Sequence, residues 1–68
     1  MPPRPEEVLH KLKRIGFEEE PGQGSHRIVI HPDGRRTVIP FHRKELEKGT
    51  YHKILKDVGR SVEEYRKL

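Results

Sequence analysis

Two histidines bracket the middle of this 68-residue chain: His26, closing Gly24-Ser25-His26, and His42, closing Pro40-Phe41-His42. Imidazole, with an ordinary pKa of about 6.5, is the side chain best suited to moving protons near neutral pH. Between the two histidines run Arg27-Ile28-Val29-Ile30, then Pro32-Asp33-Gly34, then Thr37-Val38-Ile39. β-Branched residues on either side of a Pro-Asp-Gly turn spell a strand, a tight reversal and a second strand. Antiparallel neighbours lie about 4.7–5.5 Å apart, so the histidines are expected side by side at the open end of the hairpin. Facing RNA, such a histidine can take the proton of a 2′-hydroxyl, whose oxygen then attacks the adjacent phosphorus. Nearby cations and backbone N–H groups would hold the phosphate charge.

Residues of the right kind surround His26. The loop Gly22-Gln23-Gly24 runs into Ser25 and brings backbone that can approach a ligand closely. Arg27, Arg43 and Lys44 are candidate phosphate contacts, and His42 is a candidate auxiliary group. Other chemistries fit less well. His26, His31 and His42 have neither an i,i+4 pair nor a thiolate beside them, and strand alternation disperses them, so no metal site and no cofactor are expected. Ser25 and His26 are adjacent on a strand and point to opposite faces, which excludes a nucleophilic pair. Glu18, Glu19 and Glu20 read as charges that blunt a sheet edge.

The elements that must position these groups follow from periodicity. Residues 5–15 predict a helix: Pro5 at its first position, Glu6 and Glu7 at the positive end of the dipole, Lys11, Lys13 and Arg14 at the negative end. Val8, Leu9, Leu12 and Ile15 make its apolar stripe, and Gly16 is placed to cap it. Phe17-Glu18-Glu19-Glu20 predicts a short first strand. In the hairpin, alternation puts His26, Ile28 and Ile30 on one face and Arg27, Val29 and His31 on the other. Two registers remain open: a four-residue loop matches Ile28 with Ile39, and a three-residue bulged turn matches Ile28 with Val38. Because His26 shares its face with two isoleucines, it is expected at the rim of the core. Tyr51, Ile54, Leu55 and Val58 form the stripe of a second helix, started by Gly49-Thr50 and capped by Gly59. His52 and the lysines of that helix read as a solvated face. Ser61 with Glu64 offers a capping box for a last short helix carrying Val62 and Tyr65.

The order α-β-β-β-α with a terminal turn predicts an α+β fold. Its three-stranded antiparallel sheet carries two helices on one face and leaves the other open, as in the double-stranded-RNA-binding fold. Residues 1–68 form a single domain, with a core at about 5–60 and a short helical extension at 61–68. Hydrophobic residues make up only 29% of the chain and cysteine is absent, so disulfides and thiolate zinc cannot reinforce so small a core. Fifteen Lys and Arg against eleven Asp and Glu leave +4, which favours a polyanionic partner such as nucleic acid. No apolar run of membrane length and no signal peptide are evident, and a cytoplasmic protein is expected.

The ordered set Gly24-Ser25-His26, Pro40-Phe41-His42, Lys48-Gly49-Thr50-Tyr51-His52-Lys53-Ile54-Leu55 and Gly59 resembles the HicA-type, YcfA-like toxins over roughly residues 5–60. The resemblance implies a double-stranded-RNA-binding-like fold, metal-independent cleavage of mRNA, and neutralisation by a HicB-type antitoxin. It maps the family's catalytic histidine onto His26 and the histidine after the proline onto His42. Gly24 and Ser25 would position the backbone, and Arg27, Arg43 and Lys44 would attract phosphate. Arg43 departs from the glycine or small residue common at that place. The alternative that composition leaves is a non-catalytic basic module that binds RNA without cutting it.

Overall fold

The computed structural model describes residues 3–21, 24–42 and 44–68. The elements follow in the order α1 (Pro5–Arg14), β1 (Glu18–Glu19), β2 (His26–Ile30), β3 (Arg36–Pro40), α2 (Lys48–Val58) and α3 (Val62–Arg66). The three strands form one antiparallel sheet in the order β1-β2-β3. Among the described residues no helix is long and apolar enough to cross a membrane.

Sequence chemistry explains each boundary. Pro5 opens α1, Glu6 and Glu7 occupy its first turn, and Lys11, Lys13 and Arg14 its last. Gly16 then takes a left-handed φ of +101°, and the N–H groups of Gly16 and Phe17 return to the carbonyls of Lys13 and Leu12. This is the paired closure of a helix end that only a residue at ease with positive φ permits. β1 is shorter than expected: Phe17 is pulled into the core, the strand spans Glu18 and Glu19, and the Glu20 N–H adds one further bond to the Ile28 carbonyl of β2. α2 begins one residue before Gly49, with Glu47 as its N-cap, and stops at Gly59, which has φ +73°. Ser61 and Glu64 exchange both bonds of the capping box that starts α3.

The hairpin takes the bulged turn. The His31 carbonyl accepts from the Gly34 N–H, the His31 N–H donates to the Arg35 carbonyl, and Gly34 has φ +99°. A three-residue loop ending in a left-handed glycine fixes the register. Ile28 therefore faces Val38, His26 faces Pro40 and Ile30 faces Arg36.

That register sorts the two faces. Val29, Thr37 and Ile39 are buried under Val8 and Leu12 of α1 and Ile54, Leu55 and Val58 of α2, with Phe17, Leu46 and Tyr65 completing the core. The opposite face carries His26, Ile28, Ile30, Arg36, Val38 and Pro40, and among the described residues no helix packs on it. The expectation that His26 stands at the rim of the core is corrected here. Its two isoleucines belong to the open face, and His26 is exposed with them.

The end of the chain also departs from expectation. Residues 61–68 read as an extension beyond the core, yet Tyr65 of α3 is only 3% exposed. Its ring meets Tyr51 edge-on and lies under the Lys11 ammonium, and its hydroxyl donates to Glu7 Oε2 at 3.0 Å. Burial, and then the Glu7 carboxylate, push the phenol well above its ordinary pKa. The helical tail thus ties α1 to α2.

The cap at Gly16 yields a prediction. A Cβ there would lie 2.8 Å from His31 Nε2, on a backbone already at positive φ. Left-handed backbone costs a side chain about 1–2 kcal/mol. Gly16→Ala is expected to lower Tm by roughly 5–15 °C in a domain this small, measured by thermal unfolding followed by circular dichroism.

Candidate active site

His26 opens β2 and His42 follows β3, so one hairpin positions both. Their rings stand on the open face with centroids 5.3 Å apart and planes tilted by 43°. Both side chains are exposed. His26 Nδ1 makes a long 3.4 Å contact with Ser25 Oγ, which leaves Nε2 turned to solvent. Ser25 also lends its carbonyl to the Phe41 N–H, so the ladder continues past the formal end of β3 and holds the two histidine segments together. Beside His42 a recess of about 40 Å³ is lined by Pro40, Leu46, Glu47 and Thr50. It is too small for a nucleobase, so the two histidines stand on an open surface rather than in a pocket.

Of the other residues singled out from sequence, Gly24 and Ser25 lie beside His26 and are exposed, and Lys44 is exposed two residues after His42. Gly22, Gln23 and Arg43 lie outside the described residues. Arg27 is not brought to the histidines. It projects from the covered face, where Nη1 meets Glu19 Oε2 at 2.6 Å and the guanidinium lies 4.6 Å from the centre of the Phe41 ring. Lys13 adds a second contact to Glu19 at 3.3 Å. The Arg27 hydrogen bond, helped by Lys13, holds the Glu19 carboxyl below its ordinary pKa. Arg27 is thereby an ion-pair partner on the far side of the sheet, facing away from any phosphate bound at His26. A wider depression of about 680 Å³ at that side carries Glu18, Glu19 and Glu20, charges of the wrong sign for RNA.

Sequence reasoning missed Arg36. The bulged register sets it on the open face opposite Ile30, roughly 13 Å from His26 at about 3.3 Å per residue. Only the register reveals this, and a four-residue loop would have turned it away. His31 has a structural role that the discarded metal reading did not foresee. Its Nε2–H donates to the Ile15 carbonyl at 3.1 Å, its Nδ1 accepts the Asp33 N–H at 3.1 Å, and its ring meets Phe17 edge-on. Its parity with Val29 and its place before the turn were the available signal. Among the described residues no group of three His, Cys, Asp or Glu side chains comes together that could hold a metal ion.

A paired-histidine surface on a three-stranded sheet backed by two helices is what the comparison with known families then meets. The family model described as HicA toxin of bacterial toxin-antitoxin matches residues 5–59, from the first residue of α1 to the cap of α2. The chain belongs to the HicA toxin family. It is therefore a toxin of a toxin–antitoxin system, and a cognate antitoxin is its implied partner. The three-stranded antiparallel sheet with its helices agrees with the double-stranded-RNA-binding-like arrangement of HicA proteins. No curated protein matches the chain.

The ion pair at Arg27 makes a second prediction. A carboxyl whose pKa is lowered in the folded state adds stability above its unfolded pKa, and that stability is lost as pH falls through the folded value. Glu19→Gln should therefore lower Tm at pH 7. The difference from wild type should close as pH drops below the ordinary carboxyl value of 4.5, as read from melting curves across pH 3–7.

Proposed function

We propose that this HicA toxin is a metal-independent endoribonuclease that cleaves mRNA at the His26–His42 pair. The observation that carries the reading is the closeness of two exposed imidazoles, 5.3 Å between ring centres, on the uncovered face of the sheet. Cleavage of RNA by transesterification through its own 2′-hydroxyl needs one group to accept a proton and one to donate, both within reach of a single phosphodiester.

The contact with Ser25 supports a division of labour. In the tautomer in which Nδ1–H donates to Ser25 Oγ, one of the two directions open to this contact, the lone pair of neutral His26 lies at Nε2. His26 then takes the proton of the 2′-hydroxyl, and the oxygen attacks phosphorus. The bond from phosphorus to the 5′-oxygen breaks, and His42 as imidazolium gives that oxygen its proton. The products are a 2′,3′-cyclic phosphate and a 5′-hydroxyl. Lys44, with Arg43 before it in the chain, supplies positive charge for the phosphate oxygens, and Gly24 and Ser25 bring exposed backbone close to it. Arg27 takes no part, because Glu19 holds it on the other face.

A single acid–base group contributes about 10²–10⁴-fold to rate. His26→Ala is expected to slow cleavage of a single-stranded mRNA fragment at least about 100-fold with its circular dichroism unchanged. The wild type should cut in excess chelator and leave cyclic-phosphate ends. RNA that is bound with salt-sensitive affinity but stays intact after long incubation with wild type would instead establish a binding module.

A further inference from the structure

β3 is an edge strand, and its hydrogen bonds show which of its backbone groups are spare. Phe41 donates to Ser25 and Arg35 accepts from His31, with Ile39 facing Arg27 and Thr37 facing Val29 in between. In an antiparallel ladder the bonded positions alternate. The odd-numbered residues of β3 thus bond to β2, and Arg36, Val38 and Pro40 turn their backbone outward. Pro40 fits this assignment, since a proline in a sheet is tolerated where its missing N–H would face away from the neighbouring strand. The outer edge offers two donors, the N–H groups of Arg36 and Val38. It also offers three acceptors, the carbonyls of Arg36, Val38 and Pro40. No strand follows β3 in the sheet.

The charges beside the Arg36 half of this edge are mainly positive, while Glu45 and Glu47 lie near Pro40 at its other end. Arg36 is exposed on the open face. On the helix side Thr37 Oγ1 and Lys53 Nζ both donate to Asp57 Oδ2 at 2.9 Å, which sets the Lys53 ammonium next to the strand. Lys56 follows on the same helix and also bears on Asp57. Burial raises the Asp57 pKa, but Lys53 and Thr37 outweigh it and hold the carboxyl low. The carboxylate beside Thr37 is therefore already engaged. The opposite edge of the sheet is the reverse case: β1 spans two residues and is bounded by Glu18, Glu19 and Glu20.

We propose that the outer edge of β3 receives an acidic, extended segment of a partner protein as a fourth strand, through Arg36 and Val38 with Lys53 and Lys56 alongside. Strand addition draws its affinity from main-chain bonds and its selectivity from the side chains that flank them. The alternating side chains of the incoming strand meet Lys53 and Lys56 on the helix side, where carboxylates suit. On the open face they meet Val38 and Ile28, where apolar groups suit. A phosphate backbone carries acceptors only, and it would face the three outward carbonyls unpaired. A second copy of this chain would set Arg36, Lys53 and Lys56 against their own kind, and repulsion of that sort suppresses wrong partners. This inference does not depend on whether the histidines cut RNA, because its test reads protection of backbone amides and not cleavage.

The test uses the full ¹⁵N-labelled chain and a blocked heptapeptide alternating glutamate and valine, with amide hydrogen exchange read by NMR. Saturating peptide should slow exchange at the Arg36 and Val38 amides at least tenfold, and the same peptide with lysine for glutamate should not. Val38→Pro, which removes one outward donor, should weaken binding at least tenfold. So should Lys53→Gln with Lys56→Gln, a pair that leaves the ladder untouched and serves if the proline variant does not fold. Unslowed exchange at both amides at millimolar peptide would overturn the proposal. So would protection of the same amides by self-association without peptide, or by a single-stranded RNA oligonucleotide in place of the peptide.

Discussion

The pairing of β2 with β3 is the constraint on which the rest of the molecule depends. Side chains alternate along a strand with a period of two, so a slip by one residue would carry every group to the other face. With Ile28 opposite Val38, the β-branched pair Val29 and Ile39 goes beneath the helices, and His26 and His42 meet above an uncovered sheet. Alternation along β2 separates Arg27 from His26, and the pairing of β1 with β2 gives it to Glu19. One geometric choice thus sets the core, the candidate site and the free edge together.

What enforces that choice lies at the far end of the hairpin. Asp33 accepts from the Arg35 backbone and pairs with its guanidinium, and Arg35 also donates to the Val58 carbonyl at the end of α2 while lying near the Phe17 ring. The backbone hydrogen bond, and next the guanidinium, hold the Asp33 carboxyl below its ordinary pKa. His31 links the same turn to Ile15 at the end of α1, against a Gly16 that leaves no room for a side chain. In a chain with so little apolar surface to bury, this polar network does what a larger core would do elsewhere. It leaves the histidine end of the hairpin with few internal bonds, and its polar groups are turned to solvent.

Much of this was legible in the residues. The helix caps at Gly16 and Gly59, the capping box at Ser61, the apolar stripes and the meeting of the two histidines all follow from local chemistry, because each is decided by neighbours in the chain. The register was not legible, since a three-residue and a four-residue loop both satisfy Pro32-Asp33-Gly34, and contacts distant in sequence, Arg35 with Val58 and Val29 with Ile39 in the core, decide between them. Arg27 was misplaced for a different reason: alternation already set it opposite His26, but the Glu19 carboxylate that holds it there is met only through the pairing of β1 with β2. Tyr65 was placed on the last helix, but its burial was not legible because its partners Glu7 and Lys11 lie more than fifty residues away in sequence. Long-range pairs of that kind leave no periodic trace.

The central claim is that two imidazoles, brought together by one register, share a proton transfer. The pH dependence of kcat/KM for RNA cleavage, compared between wild type and His42→Ala, tests it most directly. A base and an acid working as a pair give a bell-shaped profile, and removing His42 should lower the rate and erase one limb of the bell. A wild-type rate that does not vary with pH, or a His42→Ala profile that overlays it in height and shape, would contradict the account.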